Sequence, residues 1–372
     1  MIGQGSFTED LVPKVWRHRM RQKRIDVGTP SGPGDCPAPP AEIPPQILTI
    51  KALSITISTS FAPKTMPIIR VLSLFIAIAG AVAAWASPAG AGPRTNIGGI
   101  GVFTNDYLGD RKDRWRTGSF MRSQFFGPNW TGRLPSGGVV TEFRLRMEMI
   151  APTRIWRAPE AGERPYVGLI APGAFAHFRR GPVEYRLGGE LAIVGPQTRV
   201  GDFMDRAHEV LGFKEPLGIS GQIADAVRPT VMADVARPFH LSRGVLRPFA
   251  SVVAGAETGV RVGFDVMAGG RATTTLFARE PVTGQMIGAA RSGKYAGPVI
   301  NFGADVMAVA DSHFLPGGQG YEIEPLRYRL RAGVDGQIGG FDVFYGLTWL
   351  SPEYSTQTEG QIVGSIAMFL RF

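Results

Sequence analysis

Glu142-Phe143-Arg144-Leu145-Arg146-Met147-Glu148-Met149 alternates charged and apolar side chains without a break. Successive side chains of a β-strand point to opposite faces. Phe143, Leu145, Met147 and Met149 therefore share one face, and Glu142, Arg144, Arg146 and Glu148 the other. The same reading fits Val183–Leu191, where Tyr185, Leu187 and Leu191 oppose Glu184, Arg186 and Glu190. It fits Tyr328 and Leu330 against Arg327, Arg329 and Arg331. It also fits the C-terminus, where Ile362, Ile366, Met368, Leu370 and Phe372 oppose Gln361, Ser365 and Arg371. Period two over several segments of about ten residues, apolar against charged, is the pattern of a transmembrane β-barrel. A soluble secreted β-sandwich produces the same alternation.

Features outside the strands favour the barrel. Met66-Pro-Ile-Ile-Arg70 is followed by the apolar run Val71–Ala84 and by Ala84-Trp85-Ala86 and Ala89-Gly90-Ala91. A basic start, an apolar core and small-residue cleavage sites read as a secretory signal peptide over 66–91. Residues 1–65, Pro-rich and unpatterned, then read as a non-native extension from a mis-set start, and 92–372 as the barrel domain. The one cysteine, Cys36, lies in that extension, so the folded part holds no disulfide and no thiolate metal site. An aromatic residue, Phe372, ends the last strand, as in bacterial outer-membrane barrels.

The bulk numbers agree. The chain has 372 residues with 49 Gly, 29 Pro and only 19% charged residues, a balance that suits strands joined by tight turns. A mean hydropathy of +0.02 is too high for a disordered chain and too low for a bundle of membrane helices. The formal charge is +9, of which residues 1–65 carry +3 (8 Lys/Arg against 5 Asp/Glu). No basic run is interleaved with aromatics, so nucleic acid is excluded as a partner. A mild basic excess suits an anionic lipid surface.

The expected fold is all-β: a transmembrane antiparallel β-barrel of about 12 strands, with a short helix in an outer loop. The strands are expected near 96–106, 116–127, 137–150, 166–179, 182–195, 227–238, 245–257, 260–269, 293–310, 325–337, 340–350 and 361–372. Region 270–292 is long for a periplasmic turn, which leaves the count open by two. The helix is expected inside 196–226. Asp202 there suits an N-cap, Phe203, Ala207 and Val210–Leu211 recur at helical spacing, and Gly212 suits a stop. With a periplasmic N-terminus, odd strands run outward. Asn105-Asp106, Thr117, the loop 151–164 and His208 then all fall at the outer rim.

Thr104-Asn105-Asp106, Asp113-Arg-Trp-Arg-Thr-Gly118, Glu163-Arg-Pro-Tyr-Val-Gly168, Leu191-Ala-Ile-Val-Gly-Pro196 and Arg206-Ala-His-Glu-Val-Leu-Gly212 together resemble the outer-membrane lipid A 3′-O-deacylase family. The likeness covers most of 95–372 and is best in its first half. It implies a twelve-stranded barrel in the bacterial outer membrane that removes the 3′-acyloxyacyl group of lipid A, the lipid anchor of lipopolysaccharide, with Ca²⁺. It carries the family's Asn-Asp pair onto Asn105 and Asp106, its strand-two threonine onto Thr117 and its helix histidine onto His208. Basic residues of the second outer loop map onto Arg157 and Arg154. One position departs: four residues before the helix histidine the family usually has Gln, and here stands Met204, with Asp205 adjacent as a possible substitute.

These residue types suit the implied reaction. Imidazole takes and gives protons near neutral pH, so His208 is the expected general base. Asp106 is the expected anionic Ca²⁺ ligand, and Asn105 and Thr117 the expected supports of metal and oxyanion. Arg154 and Arg157 are expected on the lipid A phosphates. Taken alone each is bland: an Asn-Asp pair at a strand end is usually a turn former. No role is expected for His177, His240 or His313, and the inward Glu/Arg rows read as a salt-bridged lumen. The alternative reading is a non-enzymatic outer-membrane barrel, a small channel or structural protein on the same scaffold.

Overall fold

A computed structural model of the chain describes residues 94–369 apart from 294, 295 and 340. The extension 1–65, the signal peptide 66–91 and Phe372 lie outside the described residues. Fifteen strands follow in chain order: β1 (Thr95–Asn105), β2 (Trp115–Gly127), β3 (Val140–Ala151), β4 (Val167–Arg180), β5 (Val183–Val194), β6 (Ala226–Ala236), β7 (Phe239–Leu241), β8 (Gly244–Ala254), β9 (Glu257–Ala268), β10 (Thr275–Arg279), β11 (Met286–Arg291), β12 (Val299–Ser312), β13 (Leu326–Ile338), β14 (Phe341–Leu350) and β15 (Gln361–Phe369). Twelve of them form one antiparallel barrel. β6 pairs with β8 past the short β7, β9 pairs with β12, and β1 pairs with β15 to close the sheet.

The barrel inverts the burial of a soluble protein. Phe143, Leu145, Leu330 and Tyr345 are exposed, whereas Glu142, Arg144, Glu148 and Arg331 are buried. On these strands the apolar face points outward and the charged face inward, as the period-two pattern requires for a lipid-facing barrel. A β-sandwich would bury the opposite set. No described helix is long and apolar enough to cross a membrane.

Charges inside a narrow lumen are tolerated only when paired. Asp305 takes hydrogen bonds from Arg261, Arg329 and Arg331. Glu142 holds Arg144 at 2.7 Å and His177 at 2.8 Å. Arg116 reaches Glu148 at 2.6 Å and Glu353 at 2.7 Å.

The ends differ. β4 and β5 are joined by residues 181–182 alone, whereas 195–225 separate β5 from β6 at the other end. Short turns mark the periplasmic end and long loops the outer one. The β10–β11 hairpin of the long periplasmic connection is a plug, its two strands pairing only with each other. Leu276, Ala278, Ile287 and Ala289 pack inside with Ile100, Met121, Phe125 and Phe344 of the wall. Arg291 pairs with Asp335 at 2.6 Å and Asp342 at 2.9 Å, and Gln285 donates to the carbonyls of Ala332 and Leu347. Gly98 makes the fit possible, because a Cβ there would lie 2.2 Å from the Ala289 carbonyl oxygen. Twelve wall strands and one lumenal hairpin settle the open count.

Candidate functional site

Asn105 ends β1, and its Oδ1 accepts from the Tyr107 amide at 2.7 Å to cap a single 3-10 turn, Asp106–Leu108. The chain then returns to β2 through a strained loop. Arg111, Asp113 and Trp115 have φ of +61°, +50° and +51°. Left-handed backbone at bulky residues costs about 1–3 kcal/mol each and persists only where packing enforces it. Trp115 supplies that packing: it is 1% exposed, lies against Leu315, Tyr321 and Tyr354, and donates Nε1–H to Thr153 Oγ1 at 3.0 Å. The Arg114 guanidinium sits 3.8 Å over its ring.

A β-bulge then re-aims two side chains. Trp115 faces Ala151 and Gly118 faces Met149, so β2 has one residue more than β3 between those pairs. Bulges kink a strand and break its in–out alternation. Arg116 thereby turns into the lumen toward Glu148, and Thr117 turns to two carboxylates. Thr117 Oγ1 lies 2.7 Å from Asp113 Oδ1 and 3.2 Å from Asp106 Oδ1. A hydroxyl has one proton to give, so it satisfies one acid at a time.

Asp106 is 1% exposed and accepts from the Arg114 amide at 2.8 Å. Burial, reinforced by the charges of Asp113 and Asp110, pushes its carboxyl up to about 7, although the Arg114 amide and Thr117 favour the ion. Asp110 accepts from Arg114 Nη2 at 3.4 Å and the Ile362 amide at 3.3 Å, while its other oxygen is buried without a hydrogen-bond partner.

The helix α1 (Val200–Leu211) supplies the imidazole. It begins two residues before the expected cap: Arg199 takes the N-cap position and Asp202 lies in the first turn. Val200, Gly201, Met204 and His208 form its buried face, and Val200 and Met204 pack with Ile155, Tyr166 and Met149. Phe203, Val210 and Leu211 are exposed instead. Gly212 stops the helix at φ +69°. His208 Nδ1 is 2.7 Å from the Lys214 carbonyl, an acceptor only, so Nδ1 carries the proton there. Nε2 faces Asp113 Oδ2 at 3.2 Å, and Phe213 closes on the ring edge-on at 5.6 Å.

His208, Asp113, Thr117, Asp106 and Asn105 thus line one cavity of about 680 Å³ at the outer end. Its walls are apolar, built from Met149, Trp156, Phe203, Met204, Leu211 and Phe213. Phe103, on the lipid side of β1 and 43% exposed, also lines it, so the cavity continues onto the outer wall of the barrel. Arg111, Lys112, Arg154 and Lys214 supply cations to its lining.

Most of the expected residues meet here, and one does not. Arg157 is not among the residues lining this cavity: it is exposed, pairs with Glu160 at 3.7 Å and lines an adjoining recess with Glu163 and Thr356 that shares Thr153 and Arg154 with the cavity. Asp205 does not replace the family glutamine, because it is exposed on α1 and absent from the cavity wall. Met204 is buried and accepts a weak hydrogen bond from the Tyr166 hydroxyl at 3.6 Å. The carboxylate that reaches His208 is Asp113, which sequence reasoning passed over. Its signal was the spacing Asp106, Asp110, Asp113 in a short loop just before Thr117.

A hard cation fits this donor set in kind. The described residues gather no three acid, imidazole or thiolate side chains at metal-binding spacing. They do offer oxygen alone: Asp106, its carboxyl raised to about 7 by burial beside two acids, the Asn105 amide, the Thr117 hydroxyl, and the unpartnered Asp110 oxygen. Ca²⁺ accepts such mixed oxygen ligands and completes its shell with carbonyls and water.

A family model described as "Outer membrane protein LpxR" matches residues 72–372. Among solved structures the chain is similar to LpxR from Salmonella typhimurium, with a TM-score of 0.62 at 15% identity over 74% of this chain and 100% of that one. The β domain of the Bordetella autotransporter BrkA aligns over 74% of this chain and 100% of that one at 13% identity, with a TM-score of only 0.33. No curated protein sequence matches. The family match over 72–372 agrees with the barrel and with the motifs at its outer rim: this chain belongs to the LpxR family of outer-membrane proteins, the lipid A 3′-O-deacylases.

Proposed function

We propose that this protein hydrolyses the 3′-acyloxyacyl ester of lipid A in the outer leaflet, with Ca²⁺. The observation that carries the reading is the single cavity holding His208, Asp113, Thr117 and Asp106, apolar on its walls, lined with cations and continuous with the lipid face at Phe103. An acyl chain needs the apolar wall, the lipid A phosphates need the cations, and the ester needs the proton-transfer group between them.

With Nδ1–H held by the Lys214 carbonyl, His208 offers Nε2 to the cavity. Nε2 takes a proton from water as the water oxygen bonds to the ester carbonyl carbon. Asp113, 3.2 Å from that same nitrogen, balances the charge of the resulting imidazolium. Collapse of the tetrahedral species breaks the bond to the 3′-oxygen, and the Nε2 proton passes to that oxygen. The products are a carboxylic acid and a free 3′-hydroxyl. Asp106 would be the anionic ligand for Ca²⁺, with Asn105 and Thr117 beside it. Bound there, the ion would polarise the carbonyl and balance the oxyanion. Arg154 and Lys214 meet phosphate charge. Arg157 has no part in this cavity.

The channel alternative gains no support, because the β10–β11 hairpin occupies the lumen. The deciding experiment is lipid A mass spectrometry on cells expressing the protein. Loss of 3′-linked chains is expected with the wild type and not with His208→Ala or under chelation. Unchanged lipid A with correctly inserted wild-type protein would sink the reading.

A further inference from the structure

A second cavity, of about 280 Å³, lies at the opposite end of the barrel. It sits between the β10–β11 plug and the wall, and periplasmic turn residues such as Arg133, Gly181 and Pro238 contribute to its lining. Nothing in the proposed reaction uses it.

Not all six of its arginines are paired with carboxylates. Four of its arginines are offset by carboxylates: Arg144 by Glu142, Arg186 by Asp234, Arg247 by Glu184 and Arg279 by Asp265. Two are not. Arg179 meets only carbonyl oxygens, of Leu134 at 3.1 Å and Gly181 at 2.9 Å. Arg133 makes no hydrogen bond or ion pair among the described residues. Arg186 also lines the chamber, but Asp234 takes its Nε–H. Two guanidinium groups with no carboxylate to balance them leave the chamber with a positive excess, and an anion is the group that offsets it. The cavity holds more than a bare oxyanion, and Trp130, Leu134 and Phe277 give it an apolar side.

We propose that this chamber binds a phosphate-bearing anion at the periplasmic end of the barrel, with Arg133 and Arg179 on the phosphate and Trp130 and Leu134 against its organic part. Guanidinium groups suit phosphate because their planar forks donate paired hydrogen bonds to it. The phosphate can belong to a soluble ester or to the head group of a phospholipid in the inner leaflet; the recognition chemistry is shared.

The test is isothermal titration of the full barrel in a zwitterionic detergent. The probes are inorganic phosphate, glycerol 3-phosphate and monomeric dihexanoyl phosphatidylglycerol, with acetate as control. Saturable binding is expected for the phosphates and not for acetate. Arg133→Ala, at an exposed position, and Arg179→Lys are each expected to weaken it at least tenfold, with lipid A deacylation unchanged. Tighter binding of the lipid than of glycerol 3-phosphate assigns the site to a head group, and the reverse to a soluble ester. Absence of saturable binding, equal binding of acetate, or binding indifferent to both variants overturns the proposal.

Discussion

Asp113→Asn tests the site most directly. The carboxylate lies 3.2 Å from His208 Nε2, the atom assigned to carry the proton in the transition state. Two unit charges at that distance attract by about 5 kcal/mol at an effective dielectric of about 20. Asp113 is 36% exposed at its side chain, and water screens the pair, so roughly 2 kcal/mol is a fair remainder. At about 1.4 kcal/mol per decade this is a fall of about 30-fold in kcat. The proposed acyl-chain and phosphate contacts lie elsewhere, on the apolar wall and on Arg154 and Lys214, so KM should stay within about twofold. The amide oxygen of Asn can still accept from Thr117, which preserves the loop. The assay is the initial rate of fatty acid release from lipid A in mixed micelles across a calcium titration. Heat-modifiable gel mobility confirms that the barrel is folded. A kcat within twofold of wild type would refute the assignment of Asp113 to His208. A change confined to the calcium half-saturation point would move Asp113 from the base to the metal.

Other expectations follow from the same geometry. Asp106 has a folded-state value raised to about 7 from 3.8, so the folded barrel without Ca²⁺ binds the proton more tightly than the unfolded chain does. Stability is then fully present below about pH 4 and is lost as pH rises toward 7, by up to about 4 kcal/mol. Thermal unfolding in chelator should show that slope and Asp106→Asn should flatten it; a slope unchanged by the variant would contradict the shift. Arg154→Ala should raise KM severalfold with little change in kcat, whereas Arg157→Ala should leave both within twofold, because only Arg154 lines the His208 cavity. Equal effects of the two would argue against this placement of the phosphates. Gly98→Val should prevent plug seating, since its Cβ falls 2.2 Å from a plug carbonyl, and a stable, heat-modifiable barrel of that variant would contradict the packing.

Alternation from Phe143 to Met149 and at the other strands was enough to name a barrel, because period two is a local property that a strand cannot escape. Parity of the strands then brought Asn105, Thr117 and His208 to one end without any tertiary information. Long-range geometry decided the rest. The β-bulge between Trp115 and Gly118 adds one residue to one strand, so no single-strand pattern reveals that Arg116 turns inward and Thr117 toward the acids. Asp113 joins His208 only through left-handed backbone that the buried Trp115 ring enforces from the far side of the loop. Region 270–292 read as a turn of unusual length, because its strands pair only with each other and fill a lumen that exists only once the barrel has closed. Arg157 and Arg154 are three residues apart and equally basic, and only the folded loop sends one to the cavity and the other to Glu160. The sequence determined what each face of each strand must meet. Closure of the sheet decided which distant residues meet one another, because those contacts depend on register, and register belongs to pairs of strands.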